Sequence, residues 1–292
     1  MSCEQFTKPN FHPETLVMIG QANEILSEYA AQGFTLTLRQ LYYQFVARQI
    51  IANDDKEYGR LGRTIAGARR AGLVDWAHIE DRTRDLVSWK HWEDPEQVIF
   101  EAASTYNEDL WWNQDRRLEV WVEKSALVGV VEPVCQRWRV PYFAARGYPS
   151  HSELYAAGKR FARYYRVGSV PVVFYLGDHD PSGLDMTRSL REELGLYARN
   201  LIEVRQLALN MGQIQALNLP PNPAKESDKR YQEYVRTTGQ TDSWELDALS
   251  PSYIDELVDS AVADLVDMER WQESLDREQS NRDRLYEMAD LA

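Results

Sequence analysis

The sequence predicts an α/β protein in which a helical N-terminal part precedes a parallel sheet covered by helices. Two observations carry this expectation. Over residues 13–31 the apolar positions recur at three-to-four spacing, as on one face of a helix, and further helical stretches follow at 38–49, 56–72 and 96–110. Beyond them, short β-branched or aromatic runs at 118–123, 140–145, 170–178 and 201–209 are separated by helical stretches at 150–167 and 182–198. Strands that alternate with helices pair in parallel and need helices on their faces. With 43% hydrophobic residues in 292, the chain is long enough for one large or two moderate cores.

Residues 13–31 place Leu16, Ile19, Ala22, Ile25, Leu26 and Tyr29 on one stripe, which predicts an amphipathic helix ended by Gly33. Thr37 reads as the N-cap of a second helix over 38–49, and a third runs over 56–72 until Gly72 stops it. Two helices joined by a short turn resemble a helix-turn-helix. On the third, Arg60, Arg63 and Arg70 share roughly one face with Arg69 beside them, which suits a helix lying along phosphates; an ordinary solvated basic face has the same spacing. Residues 76–95 read as a wing or linker and 96–110 as a helix. The Pro-rich stretch 218–228 reads as a loop, and the acidic stretch 250–279 as helical.

The net charge of −13 argues against a nucleic-acid partner, since phosphate binding is driven by lysine and arginine. The average hides an asymmetry. Residues 242–292 hold 15 acidic and 4 basic side chains, a balance of −11, whereas residues 34–92 hold 10 basic and 7 acidic, a balance of +3. Cys3 and Cys135 are far apart and not in metal-ligand spacing, so neither a disulfide framework nor a zinc site is indicated, and Cys135 is expected in the core. No run approaches the roughly 20 apolar residues that span a bilayer, and MSCEQFTKPN lacks the layout of a signal peptide. A cytoplasmic protein without a membrane partner is expected.

In open parallel sheets, ligand-binding groups gather at the carboxyl ends of strands, and two of the predicted strands end in acid. One delivers Glu123; the other delivers Asp178 and Asp180 on either side of His179, which faces the opposite way. Carboxylates a few ångströms apart repel by roughly 1 to 4 kcal/mol, so the cluster calls for a cation. Oxygen ligands at a strand end favour Mg²⁺ or Mn²⁺. A strand-ending acidic turn capped by Pro181 and Gly183 accounts for the same D-x-D without a ligand. Lys124 either meets a phosphate or caps the strand end.

A strand-ending Glu, one βα unit and then D-x-D-P-x-G resembles the order of the Toprim fold, carried here by EVWVEKSAL (119–127) and LGDHDPSGLDM (176–186). That resemblance implies Mg²⁺-dependent phosphodiester chemistry at Glu123, Asp178 and Asp180. Upstream, TLRQLYYQF (37–45) resembles the catalytic-tyrosine helix of the topoisomerase VI A subunit and its relative, the meiotic double-strand-break transesterase. GYPSH (147–151) and WELDAL (244–249) resemble further segments of that family. The carry-over makes Tyr43 the nucleophile and Arg39, one helical turn earlier, the cation beside it; Gln40 stands where the family usually has an acid. A Tyr pair packed in a helix core is the plain alternative.

The expected layout is an N-terminal helix (1–33), a winged-helix-like domain with the tyrosine (34–94), a connecting helix (95–116), a Toprim-like domain (117–253) and an acidic helical segment (254–292). The resemblance implies a type IIB, topoisomerase VI A-like transesterase, of the compact stand-alone Mini-A kind, that links tyrosine covalently to duplex DNA and breaks both strands as a homodimer. The tyrosine of one protomer then meets the metal site of the other, and a separate GHKL-type ATPase subunit is a candidate partner. DNA contacts are expected from Arg60, Arg63, Arg69, Arg70 and Lys124. The alternatives are a metal-dependent Toprim nuclease that uses water, or a non-catalytic DNA-binding protein.

Overall fold

Pro13, at a position where a missing N–H costs nothing, opens α1 (Pro13–Ala31) in a computed structural model that describes residues 3–79, 89–199 and 201–290. The α1 stripe turns Ile19, Ala22, Ile25, Leu26 and Tyr29 inward, as expected. Leu16 is 48% exposed instead, and Met18 takes the buried place. Thr37 caps α2 (Leu38–Ala47) through a capping box: its N–H donates to Gln40 Oε1 at 2.8 Å, and the Gln40 N–H donates to Thr37 Oγ1 at 3.2 Å. This helix stops short of the expected 49 because Gln49 adopts a left-handed φ of 57°. Asp54 caps α3 (Asp55–Arg70), whose Leu61, Ile65 and Ala68 pack on α1 and α2. Part of the expected wing, 80–88, lies outside the described residues.

The helix α4 (Pro95–Thr105) ends five residues earlier than expected, where Tyr106 turns extended. The chain then enters a four-stranded parallel sheet of β1 (Arg116–Val122), β2 (Tyr142–Ala144), β3 (Val170–Leu176) and β4 (Glu203–Ala208), in the order β2-β1-β3-β4. All four expected strands are present. Leu118, Val120 and Val122 of β1 and Val172, Phe174 and Leu176 of β3 face one side, and Trp121, Val173 and Tyr175 face the other, the two-residue period of a sheet buried on both faces.

The first face is covered by α5 (Val128–Arg137), which joins β1 to β2, and by α10 (Pro251–Ala263); Cys135 is buried there. The second is covered by α6 (His151–Arg166) and α7 (Pro181–Tyr197), the latter joining β3 to β4. Leaving β1 and β3, the chain therefore moves to opposite faces. A crevice opens between their carboxyl ends, the place where such sheets bind ligands. The rest of the chain adds α8 (Met211–Ala216), α9 (Tyr231–Thr238) and a short antiparallel pairing of β5 (Asn222–Pro223), inside the expected loop, with β6 (Asp242–Ser243) beyond it. The acidic stretch forms α10 and a separate α11 (Met268–Asp290), which packs on α4. Among the described residues no helix is long and apolar enough to cross a membrane.

Candidate functional site

Glu123 follows β1 and Asp178 follows β3, one residue past Gly177. Neither Gly177 nor Gly183 has room for a side chain: a Cβ on Gly177 would stand 2.9 Å from Glu123 Oε2, and one on Gly183 would stand 2.2 Å from the Asp178 carbonyl oxygen. The absent Cβ atoms let α7 seat directly on the end of β3. Asp180 caps that helix, its Oδ1 accepting the Gly183 N–H at 2.6 Å. His179 points away, buried, with Nδ1 3.1 Å from the Tyr234 hydroxyl.

The three carboxylates share one strand edge, but each already has partners. Glu123 Oε2 accepts the Asp178 N–H at 2.9 Å. Asp178 Oδ1 accepts the Leu246 N–H at 2.7 Å, and its Oδ2 meets the Lys124 ammonium at 2.9 Å. That ammonium also lies 3.0 Å from both Glu245 and Asp247. Burial pushes Asp178 above the usual carboxylate range, and Glu123 adds to the shift against the pull of Lys124. Burial alone would lower Lys124, yet Asp247, Asp178 and Glu245 together raise it. Much of the compensating positive charge is thus built into the chain. Among the described residues no three His, Cys, Asp or Glu side chains converge on a common point where a metal would sit. Expected as one three-carboxylate centre, Glu123, Asp178 and Asp180 are neighbours instead, because Lys124 and the Leu246 N–H draw Asp178 aside.

Oxygen donors of this kind suit Mg²⁺, which binds through one or two carboxylates and fills its shell with water and substrate phosphate. Glu123 and Asp180 fit that description, the latter carrying, among the described residues, its helix-cap and Ser182 bonds.

Tyr43 lies across the crevice on α2. It lines, with Arg39, Lys124, Asp178 and Asp180, one cleft of about 820 Å³. Burial pushes its phenol well above the ordinary value; Glu245 pushes further and Arg39 opposes. Tyr42 lines the same cleft, but its hydroxyl is engaged, donating to Asn53 Oδ1 at 3.0 Å. Gln40 closes the α2 capping box, a place that glutamine fills as readily as glutamate.

Sequence reasoning assigned no site role to Glu245, Asp247, Lys225 or Arg230. Glu245 and Asp247 fall within the WELDAL segment, whose resemblance was the only signal. Lys225 and Arg230 line the cleft from an irregular, Pro-rich region without periodicity. The cleft wall carries six acids (Asp54, Asp55, Asp178, Asp180, Asp228, Glu245) against four cations (Arg39, Lys124, Lys225, Arg230), so a phosphate entering it would favour an added cation.

On α3, Arg60, Arg63 and Arg70 are exposed, with Arg60 paired to Glu57 at 2.5 Å. Arg69 is turned onto its own domain: it donates to the carbonyls of Trp76 at 2.8 Å and Ile79 at 2.9 Å and stacks on the Trp76 ring. No protein-family model, curated protein or solved structure matches this chain.

Proposed function

We propose that this protein cleaves duplex DNA by transesterification onto Tyr43, with divalent metal held beside Glu123 and Asp180 and with Asp178 and Lys124 completing the acid edge. The observation that carries the reading is the shared cleft: Tyr43 and Arg39 of α2 line it together with Lys124, which follows Glu123 at the end of β1, and with Asp178 and Asp180 at the end of β3. The Tyr43 oxygen attacks phosphorus, a P–O bond to tyrosine forms, and the P–O bond to one flanking deoxyribose breaks. The phenol proton leaves toward the Glu245 carboxylate, which acts on that hydroxyl, and the departing deoxyribose oxygen takes up a proton from water. Arg39 stabilises the developing phenolate, while a bound divalent ion supplies charge stabilisation to the phosphate. Arg60, Arg63 and Arg70 provide phosphate contacts along the duplex, and two copies of the chain account for breaking both strands.

The hydrolytic nuclease is the second reading, favoured by the burial of Tyr43, which is only 3% exposed and whose phenol is held protonated. Protein incubated with end-labelled duplex DNA and Mg²⁺, stopped with detergent and run on a denaturing gel, separates the two. Label retained on protein supports transesterification; free fragments alone overturn it in favour of hydrolysis, and intact DNA overturns both.

A further inference from the structure

Resting on the reading of a protein that acts on duplex DNA, we infer that the outer face of α6 is a further phosphate-binding track, which holds the duplex beyond the cleft.

Acids number 46 in the 292 residues of this chain, yet none occurs from Leu154 to Gly177. That acid-free run contains Lys159, Arg160, Arg163 and Arg166, all on α6. Leu154, Ala157, Gly158 and Phe161 form the buried face of the helix. Tyr155, Lys159, Arg163 and Arg166 fall on the opposite face, and all four are exposed. Arg160, to one side, is engaged by the buried Glu119 of β1, to which it donates at 2.6 and 2.9 Å. Glu193 of the adjoining α7 lies 3.6 Å from His151, at the far end of α6. Among the described residues no acid pairs with Lys159, Arg163 or Arg166.

Exposed arginines on other helices do have acidic partners. Arg188 of α7 meets Asp185 and Glu192, Arg236 of α9 meets Glu233, and Arg277 of α11 meets Glu108. A helix C-terminus favours cations in its last turn, which accounts for Arg163 and Arg166 but not for Lys159 or for the missing acids. At 1.5 Å per residue, Lys159 to Arg166 spans about 10 Å of helix. A DNA strand carries one phosphate per roughly 3.4 Å of axis, so several fall within reach of the three side chains. The 145–150 loop that leads into α6 keeps beside the strand ends, where the Arg146 N–H donates to the Glu123 carbonyl at 2.9 Å. The track therefore starts from the acid edge and runs down the flank of the sheet, so that duplex leaving that edge along α6 meets cations unopposed by acid.

Salt titration of binding tests the proposal. One variant combines Lys159→Gln, Arg163→Gln and Arg166→Gln; a control with the same change of charge combines Arg188→Gln, Arg236→Gln and Arg277→Gln. Affinity for a long labelled duplex is measured in EDTA over a range of salt, with thermal melts to show that both variants fold. The slope of log K against log salt should fall by about 2.7 in the α6 variant, for three phosphate contacts, and hold in the control. Each single substitution on α6 should account for about 0.9. An unchanged slope in the α6 variant overturns the proposal, as does an equal fall in the control, which would report net charge alone. Failure of the parent to bind duplex at low salt overturns it too. With an unchanged slope, loss of binding to phosphatidylserine vesicles would give the face to a membrane, and loss of self-association would give it to the acidic 242–292 stretch of a second copy. Covalent trapping is scored separately on the parent: a protein that traps no label but shows the expected fall in slope loses the cleavage reading and keeps the track.

Discussion

Glu123 and Asp178 are joined through the backbone: the Glu123 carboxylate accepts the Asp178 N–H at 2.9 Å, while the Asp178 carboxylate turns toward Lys124. A divalent ion binding at this edge must therefore compete with an ammonium for Asp178. Removing that carboxylate by Asp178→Ala should weaken Mg²⁺ or Mn²⁺ binding in a calorimetric titration, and Lys124→Met should strengthen it. Equal affinities in all three proteins would rule out an ion at this edge.

Tyr43→Phe should reduce covalent trapping of DNA to background while the fold survives, because the ring and its packing remain. Tyr42→Phe should leave trapping largely intact and cost about 1 kcal/mol of stability, the net worth of the hydrogen bond from its hydroxyl to Asn53. Denaturant unfolding and the trapping gel check both halves. A fully active Tyr43→Phe protein would remove the covalent mechanism.

The four arginines of α3 should separate into two groups. Replacing Arg60, Arg63 and Arg70 by Ala should lower the salt slope of DNA binding by about 0.9 per lost phosphate contact, with melting nearly unchanged. Arg69→Ala should instead cost about 2 kcal/mol of stability, since two carbonyls lose a charged donor. Salt titrations of binding alongside thermal melts measure the difference.

Glu278 anchors α11 by pairing with Arg139 and Arg282 and accepting the Glu108 N–H at 2.8 Å. Its hydrogen bonds with Arg139 hold its carboxyl below the ordinary glutamate range although burial opposes them. A depressed carboxylate adds stability that is fully present above the unfolded-state value and is lost as the pH falls toward the native one. Acid unfolding monitored by circular dichroism should therefore begin at higher pH in the parent than in a Glu278→Gln variant referenced to its own neutral stability. That variant should be less stable at neutral pH by about 3 kcal/mol, because Arg139 and Arg282 lose their buried partner.

The order of strands and helices was legible because periodicity is a local property, and so was the Thr37 cap, which needs only residues within one turn. Glu123, Asp178 and Asp180 were legible for a similar reason: each ends an apolar run. Arg39 and Glu245 are 206 residues apart, and nothing in either neighbourhood announces the ion pair. Only packing of α2 against the 246–248 turn brings them together. The α5 helix escaped notice because its Val-rich sequence with an internal Pro133 reads as neither strand nor helix. The expected convergence of three carboxylates took no account of Lys124, the residue directly after Glu123.

Gly183→Ala should destabilise the protein by about 2 kcal/mol or more, since the new methyl would stand 2.2 Å from a backbone oxygen with no flexible side chain to yield. Chemical denaturation measures it, and an unchanged midpoint would show that α7 can lift from the strand end.

That same crowding around Gly177 and Gly183 means that the acidic loop has no slack to take up when a ligand arrives. Its conformational entropy is lost on folding and not on binding, so association at this edge carries little reorganisation cost from the protein. Such a rigid edge favours ligands whose shape already suits it over those that need it to adapt. Selectivity here is a matter of template fit, with adjustment left to the ligand and to the long side chains of Arg39, Lys225 and Arg230 around the rim.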